Sequence, residues 1–181
     1  MKKILIVVGS LRRNSFNRQL AEIIQEMLKD RVQVSEMEYA DLPFMNQDIE
    51  YPTPLSVARV RREVQEADGL WIITPEYNYQ IPGVLKNALD WLSRPLVPGD
   101  AKRISALTGK PVVISSVAGG SAGAGARKNL SSLLKVLSMQ LLGAEGVGVV
   151  LDSEAFRTNQ LVLTEEKKAE LMALAEIMLA E

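Results

Sequence analysis

Ile4-Leu5-Ile6-Val7-Val8 runs without a polar residue and breaks into Gly9-Ser10-Leu11-Arg12-Arg13-Asn14-Ser15-Phe16-Asn17, after which Leu20, Ile23, Ile24, Met27 and Leu28 recur at three- and four-residue steps. A continuous β-branched run of this length is the pattern of a strand covered on both faces. The stripe that follows is one face of a helix. Lys2 and Lys3 before the run give it a superficial likeness to a signal peptide, but the apolar stretch is too short and ends in Gly-Ser and a basic segment.

The same alternation continues to the end of the chain. Val32, Val34 and Met37 suggest a second, weaker strand; residues 39–54 read as loop, and a polar helix spans about 55–67. Leu70-Trp71-Ile72-Ile73-Thr74 is a third strand, and Pro82-Gly83 opens a helix with Leu85, Ala88, Leu89 and Leu92 on one face. Residues 95–110 carry breakers and charges before Pro111 introduces a strand from Val112 to Val117. A long helix is expected over 126–142, a fifth strand from Val147 to Leu151, and a last helix near Thr164, an N-cap with Glu165 and Glu166 in the first turn. Five strands alternating with five helices imply an α/β parallel sheet with helices on both faces, since parallel neighbours need right-handed crossovers. No repeat or linker divides the chain, so residues 1–181 are expected to form a single domain.

Composition narrows the chemistry. The chain has no Cys and no His, which removes disulfides, thiolate nucleophiles, Cys- or His-based zinc sites and histidine acid-base steps. Its charge, 21 Lys+Arg against 22 Asp+Glu for a net −1, offers nothing to a nucleic acid. With no apolar run near 20 residues, no membrane contact and a cytoplasmic location are expected, and no resident metal.

Ligands of such sheets sit beyond the carboxyl ends of the strands, which directs attention to three loops. In the first, helix-start amides and the hydroxyls of Ser10 and Ser15, with Asn17 and Arg12 or Arg13, could surround a phosphate; the alternative is a well-capped turn on a solvated loop. Neither a Gly-x-Gly-x-x-Gly nor a Walker A pattern is present. The second, Thr74-Pro75-Glu76-Tyr77-Asn78-Tyr79-Gln80-Ile81-Pro82-Gly83, is stiffened by prolines and could offer a flat face to a planar ring, or could equally be a tyrosine rim at a core edge or dimer contact. The third, Ser115-Ser116-Val117-Ala118-Gly119-Gly120-Ser121-Ala122-Gly123-Ala124-Gly125-Ala126-Arg127, packs four glycines into seven residues. That suits close backbone approach to a ligand, or a flexible connector.

Together the motifs Gly-Ser-Leu-Arg-x-x-Ser-Phe-Asn, Pro-Glu-Tyr-Asn-x-x-x-Pro-Gly-x-Leu-Lys-Asn-Ala-x-Asp-Trp and a Gly-rich turn followed by Arg resemble the NAD(P)H-dependent FMN reductases, the group that includes bacterial quinone, chromate and azo-dye reductases. The resemblance spans nearly the whole chain and implies a flavodoxin-like, doubly wound five-stranded sheet of order 2-1-3-4-5. By the same resemblance, Ser10, Arg12, Ser15 and Asn17 would hold the FMN phosphate, with the Phe16 amide. Pro75, Glu76, Tyr77 and Asn78 would line the isoalloxazine edge, and Ser116, Val117, Ala118, Gly119 and Gly120 would close its other side. NADPH or NADH would donate hydride, and a quinone, flavin, azo compound or metal oxyanion would accept electrons. No side chain need be catalytic, because the flavin carries the chemistry. Glu76 and Arg127 are the charged residues nearest this site; Glu76 could instead orient its own loop, and Arg127 could contact the active site or only pair across a subunit contact.

Leu130, Leu133, Leu134, Leu137 and Leu141 form a stripe on the expected helix 126–142, which Val136, Met139 and Leu142 widen and Trp91 could join. Such surplus suggests a subunit interface, in line with the homodimers or homotetramers of the resembled family; a more deeply buried helix is the alternative. An FMN-binding electron carrier or redox sensor is the competing function, and the near-neutral charge speaks against a carrier. A phosphate-binding signalling domain of the same fold would need an acidic cluster where Gly9-Ser10 stands.

Overall fold

The computed structural model describes residues 1–181. Its elements are β1 (Lys3–Val8), α1 (Phe16–Leu28), β2 (Gln33–Glu36), α2 (Leu55–Glu66), β3 (Gly69–Ile73), α3 (Gly83–Leu92), β4 (Pro111–Ala118), α4 (Ala124–Val136), β5 (Gln140–Leu141), β6 (Val147–Val150), α5 (Ser153–Thr158) and α6 (Glu165–Leu179). A 3-10 turn, Gln47–Ile49, interrupts the long loop between β2 and α2. Every strand pairing is parallel, in the order β2-β1-β3-β4, and the position beyond β4 is shared by two short strands. β5 pairs with the start of β4 at Pro111 and Val112, and β6 with its end from Ser115 to Ala118. The doubly wound order expected from the resemblance is therefore present, with the fifth strand split.

Alternate residues of β1 serve opposite faces. Ile4, Ile6 and Val8 pack with Leu20 and Ile24 of α1 and Leu171 and Leu174 of α6. Leu5 and Val7 pack with Val60 of α2, Leu85 of α3 and Leu130 of α4. Each such fully buried leucine or isoleucine contributes roughly 1.5–3 kcal/mol. The helix starts follow local chemistry: Ser15 accepts the Arg18 N–H at 3.1 Å and Thr164 the Lys167 N–H at 3.2 Å.

Two expectations fail on the same side of the molecule. The helix expected over 126–142 stops at Val136, because Ser138 takes a left-handed φ of 60° and Gln140 N–H then donates to Lys110 O at 3.0 Å, entering the sheet. Met139 is buried by that turn, and Leu141 belongs to β5, so the broad apolar stripe is not one helical face. Trp91 does not join any exposed surface; it is fully buried, and its indole N–H donates to Pro43 O at 2.8 Å. Asn87, one turn earlier, donates to the same carbonyl and accepts the Met45 N–H at 2.8 Å. The Lys-Asn-Ala-x-Asp-Trp stretch thus binds the 39–54 loop to α3.

Candidate functional site

β1, β3 and β4 run side by side in register, Val8 beside Ile73 and Ile73 beside Ser115, so their following loops emerge together. The ladder continues into them: Gly9 N–H donates to Ile73 O at 2.8 Å and Thr74 N–H to Ser115 O at 2.9 Å. A Cβ on Gly9 would lie 3.2 Å from Pro75 Cδ, a tight contact, so the close approach of the first two loops favours glycine there. A cleft of about 260 Å³ opens between the three loops.

The first loop ends in the α1 N-terminus. Ser10 is buried, and its hydroxyl accepts the Arg12 N–H at 3.3 Å. The N–H groups of Phe16 and Asn17 meet no acceptor in the chain, leaving two unpaired donors at the positive end of a 13-residue helix. Asn17 departs from the expected role: its buried side-chain amide donates to Val117 O at 3.0 Å and accepts the Val117 N–H at 2.9 Å, fastening α1 to β4. Its backbone N–H and the second side-chain N–H meet no acceptor in the chain. The Arg12 guanidinium lies 5.6 Å from the centre of the Phe16 ring.

In the second loop Tyr77 and Gln80 exchange backbone hydrogen bonds of 2.9 and 3.0 Å around Asn78 and Tyr79, whose φ values are 54° and 63°. Two left-handed central residues define a type I′ turn, a conformation that asparagine accepts and tyrosine resists. Asn129 Nδ2 holds the Tyr79 carbonyl at 3.0 Å. Glu76 supplies the other restraint: its carboxylate accepts the Ser121 hydroxyl at 2.6 Å and the Ala126 N–H at 2.8 Å. α4 has Gly123 at its N-cap and no capping side chain of its own, so Glu76 caps it from another crossover. The Ser121 hydrogen bond, with the Ala126 and Gly125 amides, holds the Glu76 carboxyl below its ordinary range.

The glycine loop is braced rather than loose. Ser116 is fully buried; its Oγ donates to Ala122 O and accepts from Arg127 Nη1 at 2.6 Å. Arg127 Nε donates to Glu145 O at 3.0 Å, and burial pushes its guanidinium down from its ordinary value. A Cβ on Gly148 would fall 2.1 Å from Arg127 Nη1, so that glycine makes room for the brace. Within this chain Arg127 points behind the loop, not into the cleft.

Ser10, Arg12, Ser15, Phe16, Asn17, Pro75, Glu76, Tyr77, Val117, Ala118 and Gly119 are brought together around the cleft. Asn78, Ser116, Gly120 and Arg127 are not on its walls. Two residues overlooked in the sequence do line it: Leu151, just after β6, and Phe156 on α5. The available signal was Asp152, which caps α5 by accepting the Ala155 N–H at 2.7 Å. A larger groove of about 620 Å³ runs along α1 past Ile23 and Met27, but Glu22 and Glu26 beside it oppose an anion.

A family model described as NADPH-dependent FMN reductase matches residues 2–152. A 2-hydroxy-1,4-benzoquinone reductase from a Burkholderia species is 33% identical over 175 residues, 96% of this chain and 92% of the relative. The quinone reductase of Escherichia coli K12 is 34% identical over 157 residues, 84% of this chain and 80% of that protein. Among solved structures, the flavoenzyme NAD(P)H:(acceptor) oxidoreductase FerB from Paracoccus denitrificans superposes with a TM-score of 0.85 at 26% identity, covering 99% of this chain and 98% of FerB. A flavodoxin from Streptococcus pneumoniae shares the fold, with a TM-score of 0.61 at 17% identity, covering 98% of each chain.

Proposed function

The chain belongs to the NADPH-dependent FMN reductase family, and from that premise we propose that it is an NAD(P)H:acceptor oxidoreductase that holds FMN in the three-loop cleft and reduces a quinone or a similar small acceptor. One observation supports the placement: Phe16 and Asn17, whose backbone N–H groups meet no acceptor in the chain, line the same cleft as Pro75 to Tyr77 and Val117 to Gly119. A Cβ built on Gly119 meets nothing within 4 Å, so the wall there leaves room for a ring. These features fit FMN.

Ser10, Arg12, Ser15 and the free main-chain amides of Phe16 and Asn17 would receive the phosphate. Pro75, Glu76 and Tyr77 would flank one edge of the ring, and Val117, Ala118 and Gly119 the other. Bound FMN supplies hydride acceptance from NAD(P)H and delivery of two electrons to the acceptor. The chain supplies a rigid frame: Glu76 fixes the distance between the second and third loops, and Arg127 with Ser116 keeps the glycine turn in shape.

Association into a homodimer or homotetramer is proposed in line with the family that the sequence motifs resemble; light scattering that gives a monomer at micromolar concentration overturns it. A cytoplasmic location is proposed because the hydride donor is an intracellular nucleotide. No helix is long and apolar enough to cross a membrane.

The test is direct. The purified protein is expected to be yellow or to turn yellow with FMN, and to oxidise NADH or NADPH faster when benzoquinone is added. A colourless protein indifferent to FMN overturns the proposal. A flavin that stays oxidised under excess of both nicotinamides would make it a carrier or sensor instead.

A further inference from the structure

The family model ends at residue 152, yet α5 and the residue that ends it lie against the first loop. Arg12 Nη1 donates to Asn159 Oδ1 at 3.3 Å, and Phe156 meets the Phe16 ring edge-on at 6.0 Å and 82°. We propose that Asn159, supported by Phe156, is a positioning residue of the FMN phosphate site and acts by holding the Arg12 guanidinium in place. The inference rests on the FMN reading above and extends it to a segment that the family model does not reach.

The placement of Asn159 is built. Gln19 on α1 clamps its main chain, donating to Asn159 O at 3.0 Å and accepting the Leu161 N–H at 2.7 Å. Asn159 has a φ of 54°, a left-handed conformation that asparagine adopts readily at a helix end. Arg12 is exposed and, unsupported, would sample many rotamers. With one face on Phe16 and one N–H on Asn159, it is fixed and still keeps four of its five donors for a phosphate. The acceptor is a neutral amide oxygen. A carboxylate there would bind the guanidinium more strongly and repel the phosphate.

Titration of the apoprotein with FMN and with riboflavin, followed by flavin fluorescence, tests this, because riboflavin lacks the phosphate. Asn159→Gly, which keeps the left-handed conformation, is expected to weaken FMN about three- to fivefold, the size of one modest hydrogen bond, with riboflavin unchanged. Asn159→Asp is expected to weaken FMN about tenfold or more, from the added like charge. In an Arg12→Ala background, Asn159→Gly should cause no further loss. Phe156→Ala should act in the same direction as Asn159→Gly. Equal weakening of FMN and riboflavin, an undiminished effect without Arg12, or unchanged FMN affinity in the Asn159 variants overturns the inference. A parent chain that binds neither flavin instead overturns the FMN reading, and this inference with it.

Discussion

The Glu76 carboxylate joins two loops that belong to different crossovers, and its removal should be felt in both. Glu76→Ala leaves the Ala126 N–H and the Ser121 hydroxyl without their acceptor. The expected cost is about 1–2 kcal/mol, as for loss of an N-cap, read as a melting temperature lower by about 3–6 °C in a domain of this size. The pH dependence follows from the sign of the shift. Glu76 and Glu50 both have carboxyl values depressed in the folded chain, by hydrogen bonds from Ser121 and from Arg94 respectively. Their contribution is complete above the unfolded value near about 4.3 and is lost as pH falls through the folded value. Acid melts of the parent should therefore steepen below about pH 4.3, and Glu76→Gln should flatten that part of the curve; identical slopes would show that Glu76 contributes nothing there.

At the scale of the element, the tyrosine turn and the end of α4 show where local pattern and structure part. Tyr79 occupies a left-handed position that costs an L-residue roughly 1–2 kcal/mol, and its side chain is 74% exposed. Tyr79→Gly is expected to leave stability unchanged or raise it by up to about 1 kcal/mol, measured by urea unfolding; a clear loss would mean that the ring packs on something. β1, β3 and β4 were legible because each is a short apolar run, enriched in Ile and Val and flanked by turn residues, which favours a buried strand over a helix. The two-residue β5 was not, since Leu137 to Leu142 continues a helical spacing and only pairing with Pro111 and Val112 makes it strand. Phe156 and Asn159 were missed for a related reason: α5 has six residues, too few for a periodic signal.

Over the whole molecule, two apolar layers hold the sheet, and one buried ion pair ties its long loop down. Glu50 is 4% exposed and meets Arg94 through two hydrogen bonds of 2.9 and 2.8 Å. Arg94→Ala would strand that carboxylate, and because Arg94 is part-exposed we expect a loss of roughly 2–3 kcal/mol, seen in thermal and urea melts. The sequence by itself determined the alternation of strands and helices, the three strand-end loops and the kinship their motifs carry, because each is written in contiguous residues. The absence of Cys and His likewise excluded side-chain redox and histidine chemistry from the outset. Only the tertiary structure decided what those loop residues do. Asn17 is spent on Val117, Glu76 on α4, and Ser116 and Arg127 on each other, while Asn159 reaches Arg12 from 147 positions away. Polar side chains have several equally good partners in the abstract, and the closing of the sheet selects which one lies within hydrogen-bond distance.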